Sequence, residues 1–324
     1  MSLSSAPEPI RPAPVRDART VAVDLFHAVA RAMRGADDVV GLAVITLLSG
    51  GHLLVEGVPG TGKTLLAKSL ASAIGGKFGR VQCTPDLLPA DVTGTSVYGP
   101  ATGVWEFRPG PIFANVVLVD EVNRASPRTQ AALLEPMEEH QVTIDGATHA
   151  LPEPFLLVAT ENPFGSAGTF PLPESQLDRF AMVCTLGRPD RAAEREILTG
   201  TGGTGALETI EAVTTPAELA ATIASIRRVH CAQSVLDYVL DVVDATRSHP
   251  EVVLGASPRA ALGVLHAAQA RATVMARDFV SPDDVKAVVI AALAHRLVLA
   301  NGVDVSAATR ILGAIVGSVA VPNP

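Results

Sequence analysis

One run of eight residues constrains this chain more than anything around it. Gly57-Val58-Pro59-Gly60-Thr61-Gly62-Lys63-Thr64 follows an apolar segment, Leu53-Leu54-Val55, and opens a helical stretch. The spacing Gly-x4-Gly-Lys-Thr, set between a strand and a helix, is that of a phosphate-cradling loop. Its glycines let backbone N–H groups curl around phosphate oxygens, and the dipole of the following helix favours negative charge. A glycine-rich turn that binds nothing would not need Lys-Thr at the helix start.

A second segment belongs with the first. Val116-Val117-Leu118-Val119 runs into Asp120-Glu121, a buried strand ending in two acids. Strand ends of this kind face the crevice where open α/β sheets bind ligands. Together the segments predict ATP and Mg2+ as ligands. The nucleotide contacts expected are Gly57, Pro59, Gly60, Thr61, Gly62, Lys63, Thr64, Leu65 and Asp120. Lys63 should reach the β- and γ-phosphates, Thr64 and Asp120 should hold magnesium, and Glu121 should orient and deprotonate the attacking water.

Apolar runs at Leu53–Val55, Val81–Cys83, Val116–Val119, Leu156–Ala159 and Ala181–Cys184 alternate with helical stretches, and most lack polar alternation. That is the pattern of parallel strands covered on both faces, which predicts a three-layer αβα sandwich over residues 17–190. Two hairpins interrupt it, near 97–108 and 141–151; the second carries Asp145-Gly146, which suits a type I′ turn. Residues 191–324 predict a smaller all-helical lid, with a Gly/Thr-rich stretch at Thr199–Gly205 that reads as a linker or exposed loop. Thr215-Pro216, Ser257-Pro258 and Ser281-Pro282 mark helix starts. At Ser257-Pro258-Arg259 a cation stands where an acid would be favoured, at a cost of roughly 0.3–1 kcal/mol, so Arg259 invites a functional explanation. The Ser/Pro/Ala-rich residues 1–16 read as a disordered tail without the apolar region of a signal peptide.

Composition narrows the class. A net charge of −8, from 33 acidic and 25 basic side chains, argues against a protein built mainly to grip nucleic acid. Cys83, Cys184 and Cys231 are scattered, as are the eight histidines, which favours free buried thiols over a disulfide frame or a zinc site. No apolar run is long enough to cross a bilayer, and a cytoplasmic location is expected.

The run from Val116 through Asp120-Glu121-Val122-Asn123-Arg124 to Glu135 resembles the MoxR family of AAA+ ATPases. So do Gln141–Gly146, Ala159-Thr160-Glu161-Asn162-Pro163 and Pro171–Phe180, which includes Leu177-Asp178-Arg179-Phe180. The resemblance implies that Asn162 is sensor 1, placing the attacking water. It implies that Arg179 is an arginine finger reaching a neighbouring subunit's ATP, with Arg124 as a competing trans contact. It also implies that Arg259 is sensor 2, facing phosphate and swinging the lid on hydrolysis. Family members are expected to form a ring, a hexamer, that remodels or activates a protein client, commonly one with a von Willebrand factor A domain. Trp105, the lone tryptophan, sits on the first hairpin, where a client contact and packing beneath the hairpin are both open readings. Pro136 within an expected Thr129–Glu139 helix, His140, Glu161 and Arg188-Pro189 depart from the family pattern.

Overall fold

The fold is taken from a computed structural model that describes residues 16–162, 168–300 and 302–322. The expected tail lies outside these residues except for Arg16, which is tied down, donating to the Val213 carbonyl at 2.6 Å and pairing with Asp24.

In chain order the strands are β1 (Leu53–Glu56), β2 (Phe78–Gln82), β3 (Gly94–Gly99), β4 (Val104–Pro109), β5 (Val116–Asp120) and β6 (Gln141–Ile144). They continue with β7 (Ala147–Ala150), β8 (Leu156–Glu161), β9 (Met182–Thr185), β10 (Val252–Leu254) and β11 (Val298–Leu299). Five of them form one parallel sheet in the order β2-β5-β8-β1-β9. The four inner or doubly covered strands are apolar along nearly their whole length, as burial on both faces demands. Strand β2 begins three residues earlier than its apolar run suggested. It is an edge strand whose Arg80 and Gln82 face solvent while Gly79 and Val81 are buried, so its alternation hid its start.

Register aligns the carboxyl ends. Glu56 stands opposite Glu161 and Thr185, and Gln82 opposite Asp120. The loop after β1 and the acids after β5 therefore open into one crevice.

Both hairpins form, β3 with β4 and β6 with β7. At the second tip Asp145 and Gly146 have φ of 51° and 79°, the left-handed pair a type I′ turn requires. The hairpins touch each other: the Phe107 ring stacks on His149 with centroids 4.0 Å apart. Trp105 is 68% exposed beside an exposed Tyr98, so it does not pack beneath its hairpin.

Three expectations need correction. The Thr129–Glu139 helix is two helices, Pro127–Ala131 and Leu134–Glu139. The break puts Pro136 in the first turn of the second, where its missing N–H has no helical partner to lose. The Gly203–Leu207 helix begins inside the stretch read as a linker or exposed loop and packs on the Ala18–Ala32 and Lys63–Ala73 helices. The C-terminal part is not wholly helical, because β10 and β11 pair antiparallel.

The core does not stop between the two parts. One apolar cluster runs from Val21 and Leu25 through Leu53, Val116 and Leu156 to Val264, Val288, Leu312 and Ile315. A second lies on the other face of the sheet, around Val117, Val119, Leu157, Phe155 and Leu133.

Candidate nucleotide site

The Gly57–Thr64 loop depends on backbone shapes that side chains would prevent. Gly60 and Gly62 have φ of 85° and 104°, and a Cβ on Gly57 would sit 2.6 Å from the Leu186 carbonyl oxygen. Gly62 caps the Lys63–Ala73 helix, whose first N–H groups are thus presented to the crevice. Lys63 is buried at its base, donating from Nζ to the Gly57 carbonyl and, at 3.0 Å, to that of Val58. Burial lowers its pKa, and the nearby carboxylates of Asp120 and Glu121 oppose that shift.

A cavity of about 500 Å3 opens over this loop. It gathers Pro59 to Leu65 with Asp120 and Glu121, so nearly the whole expected set meets at one place. Gly57 lies just beneath it, through its bond to Lys63. Thr64 and Asp120 offer hard oxygen donors in the same cavity, which suits magnesium beside phosphate.

The two acids are held in distinct ways. Asp120 accepts from Thr160 Oγ1 at 2.7 Å and pairs with Arg80 at 2.8 Å. Glu121 sits at φ 56°, a left-handed conformation unusual for its residue type. Its N–H donates to the same Thr160 hydroxyl at 2.9 Å, and its carboxylate pairs with Arg124 at 2.9 Å. Thr160 is fully buried, so one hydroxyl fixes both the carboxylate of Asp120 and the backbone of Glu121.

Other expected residues lie elsewhere. Asn162 directly follows β8, two residues beyond Thr160, and is not part of the cavity wall. Arg179 and Arg259 do not line the cavity either. They lie together, both paired with Glu138, and Arg259 stands 3.8 Å from Asp178. Arg259, expected to face phosphate, is paired here with Glu138 outside that cavity. The turn at Asp178–Phe180 is tied to the lid by buried Arg296, which reaches the Asp178 carboxylate at 3.2 Å and the Phe180 carbonyl at 2.9 Å.

Sequence reasoning missed several contributors. Thr160 stood inside a quoted motif without a role. Arg80 was hidden on the edge strand. A second cavity of about 540 Å3, walled by Met33, Gly35, Ala36, Leu186, Gly187 and Arg188 among others, adjoins the first through Thr61, Leu65, Pro189 and Ile197. No motif marks it, because its walls come from four separate segments.

Among the described residues no three or more His, Cys, Asp or Glu side chains cluster to hold a metal. Cys83 and Cys184 are buried free thiols, Cys231 is half-buried, and burial pushes the pKa of the first two up to about 12. No helix among the described residues is long and apolar enough to cross a membrane.

Known proteins place this geometry. Residues 52–182 match the model of the ATPase family associated with various cellular activities (AAA), and residues 244–311 match that of the AAA lid domain. The chain is 42% identical to Chaperone MoxR1 of Mycobacterium tuberculosis, over 84% of this chain and 74% of that protein. It is 45% identical to the uncharacterized protein YeaC of Bacillus subtilis, over 83% and 84%. With Protein MoxR of Methylorubrum extorquens it shares 31% identity over 87% and 89%. A crystal structure of a candidate ATPase from Cytophaga hutchinsonii superimposes with a TM-score of 0.85 at 34% identity, covering 94% of this chain and 96% of that one. An AAA core and lid, a phosphate loop facing paired acids, and these likenesses along most of the sequence together mean that the chain belongs to the MoxR family of AAA+ ATPases.

Proposed function

We propose that this chain hydrolyses ATP with magnesium, in a cytoplasmic ring of six copies that remodels or activates a protein client. The observation that carries the reading is the convergence of Lys63, Thr64, Asp120 and Glu121 on one cavity. The adjoining cavity supplies a place for the base, between Met33 on one side and Leu186 on the other.

In this reading the loop's N–H groups and Lys63 cradle the triphosphate. Thr64 and Asp120 would hold magnesium, which would supply positive charge beside the phosphates. Glu121 takes a proton from the water that attacks the γ-phosphorus in line, and Asn162 orients that water. Catalysis is then mainly positioning and charge stabilisation. Arg179, and Arg259 beside it, serve the ATP of a neighbouring copy, since neither lines the cavity of its own chain. The naming of the mycobacterial relative as a chaperone supports a chaperone-like role. Exposed Trp105 and Tyr98 offer an apolar grip for a client, and a protein with a von Willebrand factor A domain is the partner class to try first.

ATP turnover per subunit against protein concentration tests this, for wild type, Glu121→Gln and Arg179→Ala. A rate that rises with concentration and is lost in both variants is expected. Wild-type turnover that ignores concentration and survives Arg179→Ala would leave an ATPase without a shared site. No binding of ATP by the wild type would end the proposal.

A further inference from the structure

The Leu134–Glu139 helix is short, yet it makes two unlike attachments one turn apart. Glu135 accepts from the Thr143 N–H at 3.0 Å and from its hydroxyl at 2.6 Å, which fixes the helix to β6. Glu138 faces the other way. Its Oε2 accepts from Arg179 Nε at 2.9 Å and lies 2.9 Å from Nη2, while its Oε1 takes Arg259. Two guanidinium groups therefore share the two oxygens of one carboxylate.

The rest of the surroundings completes a cradle. Arg179 Nη1 donates to the Ser175 carbonyl. Asp178, next to Arg259, accepts from the Ser257 hydroxyl at 3.1 Å and is braced by buried Arg296. Arg179 comes from the turn before β9 and Arg259 from the start of the Pro258–Val274 helix of the lid. Their like charges repel, and the Glu138 carboxylate between them offsets that repulsion. Exposed ion pairs add little to folding, and both Glu138 and Arg259 are well exposed, so stability alone gives no reason for the arrangement.

We propose that Glu138 is a positioning residue for ATP hydrolysis, holding Arg179 and Arg259 as one two-arginine unit that meets a single phosphate of a neighbouring copy. This rests on the reading above that Arg179 works across the subunit boundary. Each guanidinium keeps N–H groups beyond those spent on Glu138, and a phosphoryl group with several oxygens can accept from both. Because Glu138 and Glu135 share a helix, the unit is also fixed to the β6–β7 hairpin.

The test uses the full chain at a protein concentration where turnover per subunit has reached its plateau. In Glu138→Gln, kcat is expected to fall about tenfold, as when two transition-state contacts lose alignment, while KM for ATP stays within twofold because Glu138 touches no part of the cavity. Glu138→Asp, which keeps the charge, should recover part of the loss. In an Arg259→Ala background, Glu138→Gln should cost less than it does alone, since residues acting as a unit are not additive. An unchanged melting temperature separates this from misfolding.

The proposal is overturned if Glu138→Gln keeps kcat within twofold, or raises it, or if its loss adds in full to that of Arg259→Ala. A loss that appears wholly in KM overturns it as well. Should Arg179→Ala itself keep full turnover, the cross-subunit reading fails first. If Arg179→Ala abolishes turnover and Glu138→Gln does not matter, only the positioning role falls.

Discussion

Replacing Thr160 by valine should damage the site through a residue that touches no ligand. Valine matches threonine in shape, so the core around this fully buried position is kept. What goes is one hydroxyl with two jobs. Its bond to the Asp120 carboxylate is short, at 2.7 Å, and charge-assisted bonds of this kind contribute roughly 1.5–3 kcal/mol. The Glu121 N–H, which donates to the same oxygen at 2.9 Å, is left without a partner at a cost of about 1 kcal/mol. The sum predicts a loss of roughly 2.5–4 kcal/mol in urea unfolding, read from the shift in midpoint at constant slope. Glu121 is also held in a left-handed backbone conformation, which persists only where the surroundings impose it. If about 1.4 kcal/mol of the loss falls on the transition state, kcat drops tenfold. Steady-state turnover and urea titration on the same preparation provide both numbers. A variant within 0.5 kcal/mol, on the order of ordinary surface substitutions, and within twofold in kcat would refute the reasoning.

Other consequences can be checked more briefly. Asp284→Asn should cost about 3 kcal/mol, because this fully buried acid pairs with Arg271 and Arg277 and accepts from Ser281. Burial alone would raise the Asp284 pKa, but hydrogen bonds from Arg277 and Ser281 outweigh it and lower it. Its stabilisation is thus present above the ordinary aspartate range and lost as pH falls below about 4, measured by melting temperature against pH. Glu161 runs the other way: burial, then the Glu56 charge, raises its pKa from 4.5 to about 7. Its contribution is complete below pH 4.5 and fades as pH rises through 7, so Glu161→Gln should raise the melting temperature at pH 8 and not at pH 5. Trp105 should emit as a solvated indole and be quenched freely by acrylamide, with protection on adding a client.

The lining of the first cavity was legible because it is local in sequence. The Gly57–Thr64 loop and Asp120-Glu121 are contiguous runs, and each dictates its own backbone. Four of the five sheet strands were legible for a related reason, since burial on both faces leaves uniformly apolar runs. What escaped depends on residues that meet only after folding. Thr160 gains its role from standing on β8, beside β5 in the sheet, where it reaches both acids. The second cavity is assembled from segments more than a hundred residues apart. Arg259 could be recognised as anomalous at a helix start and was expected to face phosphate, but its pairing with Glu138, 121 residues away, could not be read from the sequence. Pro136 misled only while the segment was read as one helix.

The unbroken apolar cluster from Val21 to Ile315 bears on where motion can occur. A lid swinging about its own core would have to expose part of this shared apolar cluster to water. That cost favours movement of lid and core of one copy together. In the ring proposed above, motion would then fall at the contacts between copies, where Arg179 and Arg259 would meet the nucleotide of the next. In that proposed assembly the working stroke would be a change in how whole subunits lean on each other, with the nucleotide as the joint.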